Sequence, residues 1–393
     1  LVAEYLLQRY GTGGSLRWAV GGRSEAKLRE VRAEVCRAAG VAEDAVPLVL
    51  GDAGDAAAMA ALAGRTRVVC TTVGPYAKYG APLLEACART GTDYCDLTGE
   101  VQWMRKMIDA WDATAKETGA RLVHTCGFDC IPSDMGVHFV QREMRARHGV
   151  VSPHVKYRVK GFSGGASGGT IASMMNMLDE AGRDRSVLHV LANPYGLNPE
   201  GERQGPDKGD KVAPEYDADF GAWVGPFIMA AVDTRVVRRT NALLGYPYGR
   251  EFRYDEATLM GAGPLGLLKA AGLTAGMGAA MAALQFGAVR RLAAKRLPAP
   301  GEGPSREQRE NGYFDVRLHA AHPTDPAQGL QARVTGDRDP GYGSTAKMLA
   351  ESAVCLALDG LEGPGGCLTP AAAMGDTLLA RLQANAGLTF AIL

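Results

Sequence analysis

The chain has 393 residues, enough for two large domains or three small ones, and its 46% apolar and 22% charged residues are those of a folded protein rather than a disordered one. Its 43 Lys and Arg are cancelled by 43 Asp and Glu, which removes the basic footprint that a nucleic-acid partner requires. The 8 cysteines include no C-x-x-C pair, so neither a disulfide scaffold nor a zinc ribbon is indicated, no metal site is expected, and reduced thiols in a cytoplasmic chain are.

Residues 1–10 read as a helix already under way, with no basic leader or small-residue cleavage site. Short apolar runs at 16–20, 46–50, 68–72, 94–97 and 121–125 then alternate with helical periodicity at 25–39, after Gly51-Asp52, at 81–89 and at 101–118. Five-residue strands alternating with helices predict parallel βαβ units, an α/β fold of the Rossmann type with a doubly wound sheet. No strand followed by G-x-G-x-x-G opens the chain. In the strand order 3-2-1-4-5-6 the first strand is central, so a gap is expected between the second and fourth strands. A strand plus a Gly-rich turn, about 15 residues, is expected to precede Leu1 in the full gene product.

Ligands of such sheets bind beyond the carboxyl ends of the strands. After the first run stands Gly21-Gly22-Arg23-Ser24, where Arg23 can fork onto a 2′-phosphate and Ser24 can donate to the same oxygens, which favours NADPH over NADH. Asp52 either accepts from the adenine amino group or caps the next helix. Thr71-Thr72-Val73-Gly74-Pro75 is a turn whose glycine admits close approach of the ribose or nicotinamide. Tyr76 follows as candidate proton donor or oxyanion ligand, with Lys78 placed to lower its pKa, although both are also candidates for simple cofactor contacts.

Three further segments are Gly-Pro-Tyr-x-x-Tyr-Gly at 74–80, Asp93-Tyr94-Cys95-Asp96-Leu97-Thr98-Gly99-Glu100, and Thr125-Cys126-Gly127-Phe128-Asp129-Cys130-Ile131-Pro132-Ser133-Asp134. With Gly341-Tyr342-Gly343-Ser344-Thr345-Ala346-Lys347 and Leu368-Thr369-Pro370-Ala371-Ala372, they make the chain resemble the saccharopine dehydrogenase-like NAD(P)-dependent oxidoreductases. Within these it is most similar to the trans-acting enoyl reductases of polyketide-lipid synthesis. The resemblance implies a Rossmann domain over 1–130 completed by 341–393, and an inserted substrate domain with a mixed sheet over 131–340. It also implies Cys126 and Gly127 beside the cofactor, Asp129 toward the substrate, and a carrier-bound acyl substrate presented by a polyketide synthase. Cys126 and Cys130, separated by three residues, leave a redox or metal pair as the alternative.

Beyond Asp134 the residues fit that plan: Ser133 caps a helix to 147, and strands are expected at 154–159, 228–238, 251–258, 313–319 and 330–335. Residues 193–215 read as a loop or lid. Ser163-Gly164-Gly165 opens a Gly-rich feed into a helix at 171–178, either an anion or oxyanion cradle for substrate or a permissive turn. The apolar stretch 265–289, with Lys269 its one charge and Arg290, Arg291, Lys295 and Arg296 behind it, is expected to rest on anionic lipid or to line an acyl site rather than to cross a bilayer. His124 is expected to be a core histidine, with donation to a substrate carbonyl the alternative.

The leading expectation is an NADPH-dependent enoyl reductase of glycolipid or complex-lipid biosynthesis, cytoplasmic or peripheral on the inner face of the plasma membrane. The alternatives are a non-catalytic lipid-associated protein that retains the fold and a saccharopine-type amino-acid dehydrogenase. The lack of an Arg cluster at the cleft counts against the last.

Overall fold

The computed structural model describes residues 1–164, 168–294 and 303–393. Their strands, in chain order, are β1 (Val20–Gly22), β2 (Leu48–Leu50), β3 (Val68–Cys70), β4 (Asp93–Cys95), β5 (Arg121–Val123), β6 (His154–Ser163), β7 (Glu215–Asp217), β8 (Ala222–Gly225), β9 (Arg253–Gly261), β10 (Tyr313–Ala320), β11 (Leu330–Gly336), β12 (Gly366–Leu368) and β13 (Leu388–Ile392). β2, β3 and β5 lie within their predicted apolar runs, trimmed to three residues; β4 begins one residue earlier than its run, and β1 meets the run at 16–20 only at Val20. β1 and β2 pair in parallel, and β3, β4, β5 and β12 form a parallel sheet in the order β12-β5-β4-β3. Among the described residues no strand joins β1 to β3, so the expected gap lies between these two edges.

Helices flank the parallel sheets as the periodicity requires. Glu25–Ala39 begins at Ser24, whose hydroxyl accepts from the Lys27 N–H, and Ala56–Ala63 begins at Asp55, which accepts from Ala57 and Ala58. Val101–Thr118 buries one face and stops at Gly119, whose φ of 81° a side chain would resist.

The second sheet is mixed, in the order β13-β11-β10-β6-β9-β8-β7, with β6 parallel to β9 and antiparallel to β10. Along β10, Phe314, Val316, Leu318 and Ala320 are buried while Asp315, Arg317 and His319 are half-exposed, the alternation visible in the sequence. Beneath it, Arg158 is fully buried and held at 2.7 Å by both Asp217 and Asp255.

Three expectations change. Residues 228–238 are not a strand but the start of the helix Ala230–Leu243. Its Val232 and Val236 pack into one core and Val237 into another, so the helix is apolar on two sides and mimics a strand run. Arg235, Arg238 and Arg239 are buried in it, each donating to carbonyl oxygens. The helix expected to be capped by Ser133 begins earlier, as Ile131–His148, and the Ser133 hydroxyl donates to the Cys130 carbonyl inside the first turn. Finally, residues 341–393 complete the first domain only in part: β12 extends the parallel sheet, while β13 pairs with β11 of the mixed sheet.

One hydrophobic core runs through both sheets. Val123 and Leu368 of the parallel sheet share it with Val155, Val316 and Val334 of the mixed one, through the helices Ile131–His148, Thr345–Leu358 and Pro370–Asn385.

Candidate active site

A cavity of about 2070 Å³ lies between the carboxyl ends of the parallel strands and the second domain. On the sheet side it is walled by Gly21 and Gly22 at the end of β1, by Thr71–Pro75 after β3, by Gly99 and Glu100 after β4, and by Phe128 and Asp129 after β5. The opposite wall is apolar: Met174, Met177 and Leu178 from the helix Gly168–Arg183, with Leu188, Phe227 and Met229. One end reaches Met281 and Gln285 at the exit of the helix Gly263–Leu284.

Glu100 organises the sheet side. The helix Tyr76–Tyr79 has Pro75 at its amino end and no cap of its own, so the Glu100 carboxylate accepts from the Tyr76 and Ala77 N–H groups at 2.8 and 3.0 Å. The Ser173 hydroxyl donates to it from across the cavity at 2.7 Å, and burial raises the pKa of Glu100 despite these three donors. A cis Gly74–Pro75 bond sits in the turn it holds.

Behind Glu100 lies a closed network. Asp96 accepts from Tyr94, His124 and the Thr98 and Thr125 N–H groups, with the His124 Nδ1 at 2.8 Å. His124 is thus a core histidine, 4% exposed between Tyr94 and Trp103. The non-glycine Thr125 beside it is held at a φ of 62°.

Several sequence-predicted residues meet at the cavity. Thr71, Thr72, Gly74 and Pro75 line it, as do Asp129 and Gly164, the last packed so tightly that a side chain there would begin 2.8 Å from Asp339. Arg23 is exposed at the carboxyl end of β1, next to cavity-lining Gly22, and has no ion pair or hydrogen bond among the described residues.

Others are placed differently. The Tyr76 ring reaches the cavity, but its hydroxyl donates to the Thr71 carbonyl and accepts from the Leu97 N–H, and burial raises its pKa well above that of free tyrosine. Lys78 is exposed and off the cavity wall, so it does not bear on that hydroxyl. Asp52 neither caps a helix nor faces the cavity; it accepts from the Gly54 N–H in its own turn. Cys126 is fully buried, its N–H taken by the Asp96 carbonyl and its thiol pointed at backbone carbonyls, so it faces the core rather than a cofactor. The Cys130 thiol donates to Asp233 at 3.4 Å, and all eight cysteines are free.

Gly127 is likewise off the cavity: a side chain on it would begin 3.2 Å from Thr345, whose hydroxyl accepts from the Phe128 N–H. The 341–347 motif therefore locks onto the 125–134 motif. Ser163 ends β6 opposite Tyr313, away from the cavity wall, and Gly165 lies outside the described residues.

Sequence reasoning missed Glu100, Ser173 and Tyr342, all on the cavity wall. Glu100 had a signal, an acid three residues after Leu97 opposite a helix that lacks a cap; Ser173 and Tyr342 had none without the tertiary fold.

The nicotinamide dinucleotide that a doubly wound sheet would take fits these residues. Two glycines open the end of β1 to the adenosine end, a guanidinium without an ion pair among the described residues stands beside them, and a glycine-proline turn floors the inner end.

Comparison with known proteins agrees. No protein-family model matches the chain. A Mycobacterium tuberculosis protein provisionally named a trans-acting enoyl reductase is 42% identical over 399 residues, covering 98% of this chain and 92% of that one. The trans-acting enoyl reductase of Mycobacterium ulcerans is 38% identical over 399 residues, covering 97% and 92%. Among solved structures, the apo saccharopine dehydrogenase (L-Glu forming) of Saccharomyces cerevisiae aligns over 100% of this chain and 97% of its own with a TM-score of 0.54 and 12% identity, which shows a shared fold.

Proposed function

Because the chain belongs to the trans-acting enoyl reductase family, we propose that it reduces the carbon–carbon double bond of an α,β-unsaturated acyl thioester with NADPH. The observation that carries this reading is the single cavity that joins the cofactor-side turns to an apolar wall of Met174, Met177, Leu178 and Leu188. A reduced nicotinamide, when bound, supplies the hydride for the β-carbon. Gly21, Gly22 and Arg23 would hold its adenosine end, and the Thr72–Pro75 turn, fixed by Glu100, its reactive end. The apolar wall excludes water and aligns the acyl chain. The acyl group is further proposed to arrive on the carrier of a separate polyketide synthase.

The test is a long-chain trans-2-enoyl pantetheine thioester incubated with NADPH. The expected product is the saturated thioester with one cofactor oxidised per double bond. Recovery of unreduced thioester at saturating cofactor would overturn the reading.

Cofactor choice gives a sharper check. Arg23→Ala is expected to weaken NADPH by about 1.5–3 kcal/mol, the range for a charged hydrogen bond, and to leave NADH nearly unchanged. Equal losses for both cofactors in a binding titration would show that Arg23 does not read the 2′-phosphate.

We also propose that this cytoplasmic enzyme touches the inner leaflet through the helix Gly263–Leu284. Its Gly266 and Ala270 pack on the mixed sheet, while Leu265, Leu268 and the following Phe286 are 63, 68 and 68% exposed. Arg290 is not free for lipid, since it pairs with Asp179 and caps carbonyls at 284 and 285; Lys295 and Arg296 lie outside the described residues. Arg291 is exposed and has no ion pair among the described residues, so apolar insertion and charge both contribute. Binding to anionic vesicles is expected to be lost in high salt and in Leu265→Glu/Leu268→Glu. Unchanged vesicle binding by that double variant would refute the contact.

A further inference from the structure

Three carboxyl groups run from the cavity wall into the second domain without a cation among them. Asp129, in the loop after β5, faces the cavity; its Oδ2 lies 3.4 Å from where a side chain on Gly99 would begin, and it makes no hydrogen bond among the described residues. Asp233 and Glu256 stand behind it, each 1% exposed. Asp233 accepts from the Cys130 thiol, and Glu256 accepts from the Tyr254 hydroxyl at 2.7 Å. The second Glu256 oxygen meets no ordinary donor and lies against the Asp233 carboxyl. Two buried carboxyls in contact require a proton between them. None of the three makes an ion pair among the described residues; Arg238, which engages Asp207 and the Tyr254 carbonyl, is the cation that faces Glu256. Tyr157 and Asp210 complete its surroundings, and Asp210, held by Thr234 and Arg235, is partly exposed on the outer side. Leaving two carboxyls buried and unpaired behind a third in the cavity wall is costly, which a fold tolerates when the protons are used.

We propose that Asp129 gives the proton that completes the reduction, and that the Asp233–Glu256 pair holds its replacement. This rests on the enoyl reductase reading above. Addition of hydride at the β-carbon breaks the C=C π bond and leaves an enolate. The Asp129 O–H bond then breaks as a C–H bond forms at the α-carbon, and the Asp129 carboxylate takes a proton from the pair, which solvent refills. Burial raises Asp129 to about 6 and Glu256 to about 8, so the proton rests on the pair up to about pH 8 and Asp129 carries its own only in the fraction protonated near pH 6; the uphill passage from the pair to Asp129 is drawn by the enolate, a far stronger base than either carboxylate.

The test uses the full chain with the enoyl thioester and NADPH. Asp129→Asn is expected to lower kcat by about 100-fold or more with the dissociation constant of NADPH unchanged, and Asp129→Glu to recover part of it. Glu256→Gln should move the alkaline fall of kcat to lower pH. Infrared spectra of the free protein against pH give a readout without turnover: a protonated-carboxyl band that persists at neutral pH and disappears in Glu256→Gln. An Asp129→Asn enzyme within three-fold of wild type in kcat, or a Glu256→Gln enzyme with an unmoved pH profile and an intact band, overturns the proposal. A wild-type chain inert toward the thioester overturns the reductase reading instead, and with it the role given to Asp129.

Discussion

Asp134→Ala is expected to lower the unfolding free energy by about 3–4 kcal/mol. Asp134 is fully enclosed where three helices meet. From Ile131–His148 its Oδ1 accepts from the Thr240 hydroxyl of Ala230–Leu243 at 2.5 Å, and its Oδ2 accepts from the Ala371 N–H of Pro370–Asn385 at 2.8 Å. Thr240 in turn shares a hydrogen bond with Thr369 at 2.6 Å. Removing the carboxyl leaves a buried N–H and a hydroxyl without an acceptor, each costing about 1–3 kcal/mol, and opens a small void. Asp134→Asn keeps one acceptor and should lose about half as much. Urea unfolding of the three proteins checks this; an alanine variant within 1 kcal/mol of wild type would show that the helices do not depend on this tie.

The second large effect is a loss of stability on the alkaline side. Burial holds Glu256 at about 8, Asp134 at about 7 and Asp129 at about 6, all above ordinary carboxyl values. Between those ordinary values and the raised ones the folded chain binds more protons than the unfolded chain. The stability these groups allow is therefore complete below about pH 4 and is lost as the pH rises through 6 to 8. Asp217 and Asp255 act oppositely: after burial, which opposes it, the Arg158 charge and the lysine or histidine partners hold both below the usual range, so their contribution is lost as the pH falls below about 4. The melting temperature should peak near pH 5 and drop by several degrees by pH 8.5, and Glu256→Gln should flatten the alkaline limb. A flat melting temperature from pH 5 to 8.5 in wild type would contradict the assignment.

Much of this was legible before any coordinates. The apolar runs at 46–50, 68–72 and 121–125 located strands because a three-residue buried parallel strand still needs flanking apolar positions, and strict alternation located β10. The turn at Thr71–Pro75 could be read as a cavity wall because carboxyl ends of parallel strands all open to one side. What failed had a common cause. Tyr76 and Cys126 stand at the right chain positions, yet which way a side chain points from a loop depends on partners far away in sequence, here Thr71 with Leu97 and Asp96. The carboxyl pair Asp233–Glu256 was hidden for the same reason, and also because the misread strand at 228–238 placed Asp233 on the wrong element.

The shared core of the two sheets bears on how a long substrate enters. With Val123 and Leu368 packed into the same apolar interior as Val155 and Val316, the halves cannot swing apart about a hinge without exposing that interior to water. A long substrate of the kind proposed would instead pass the helices Gly168–Arg183 and Arg185–Ala192, which carry the cavity-lining Met174, Met177, Leu178 and Leu188. The Ser173–Glu100 hydrogen bond ties that wall to the Gly74–Pro75 turn. The same helices are held by Gln102 donating to Glu180, by the Arg290–Asp179 pair and by Arg235 donating to the Leu191 carbonyl, so displacing them would cost a handful of local polar contacts rather than the shared core.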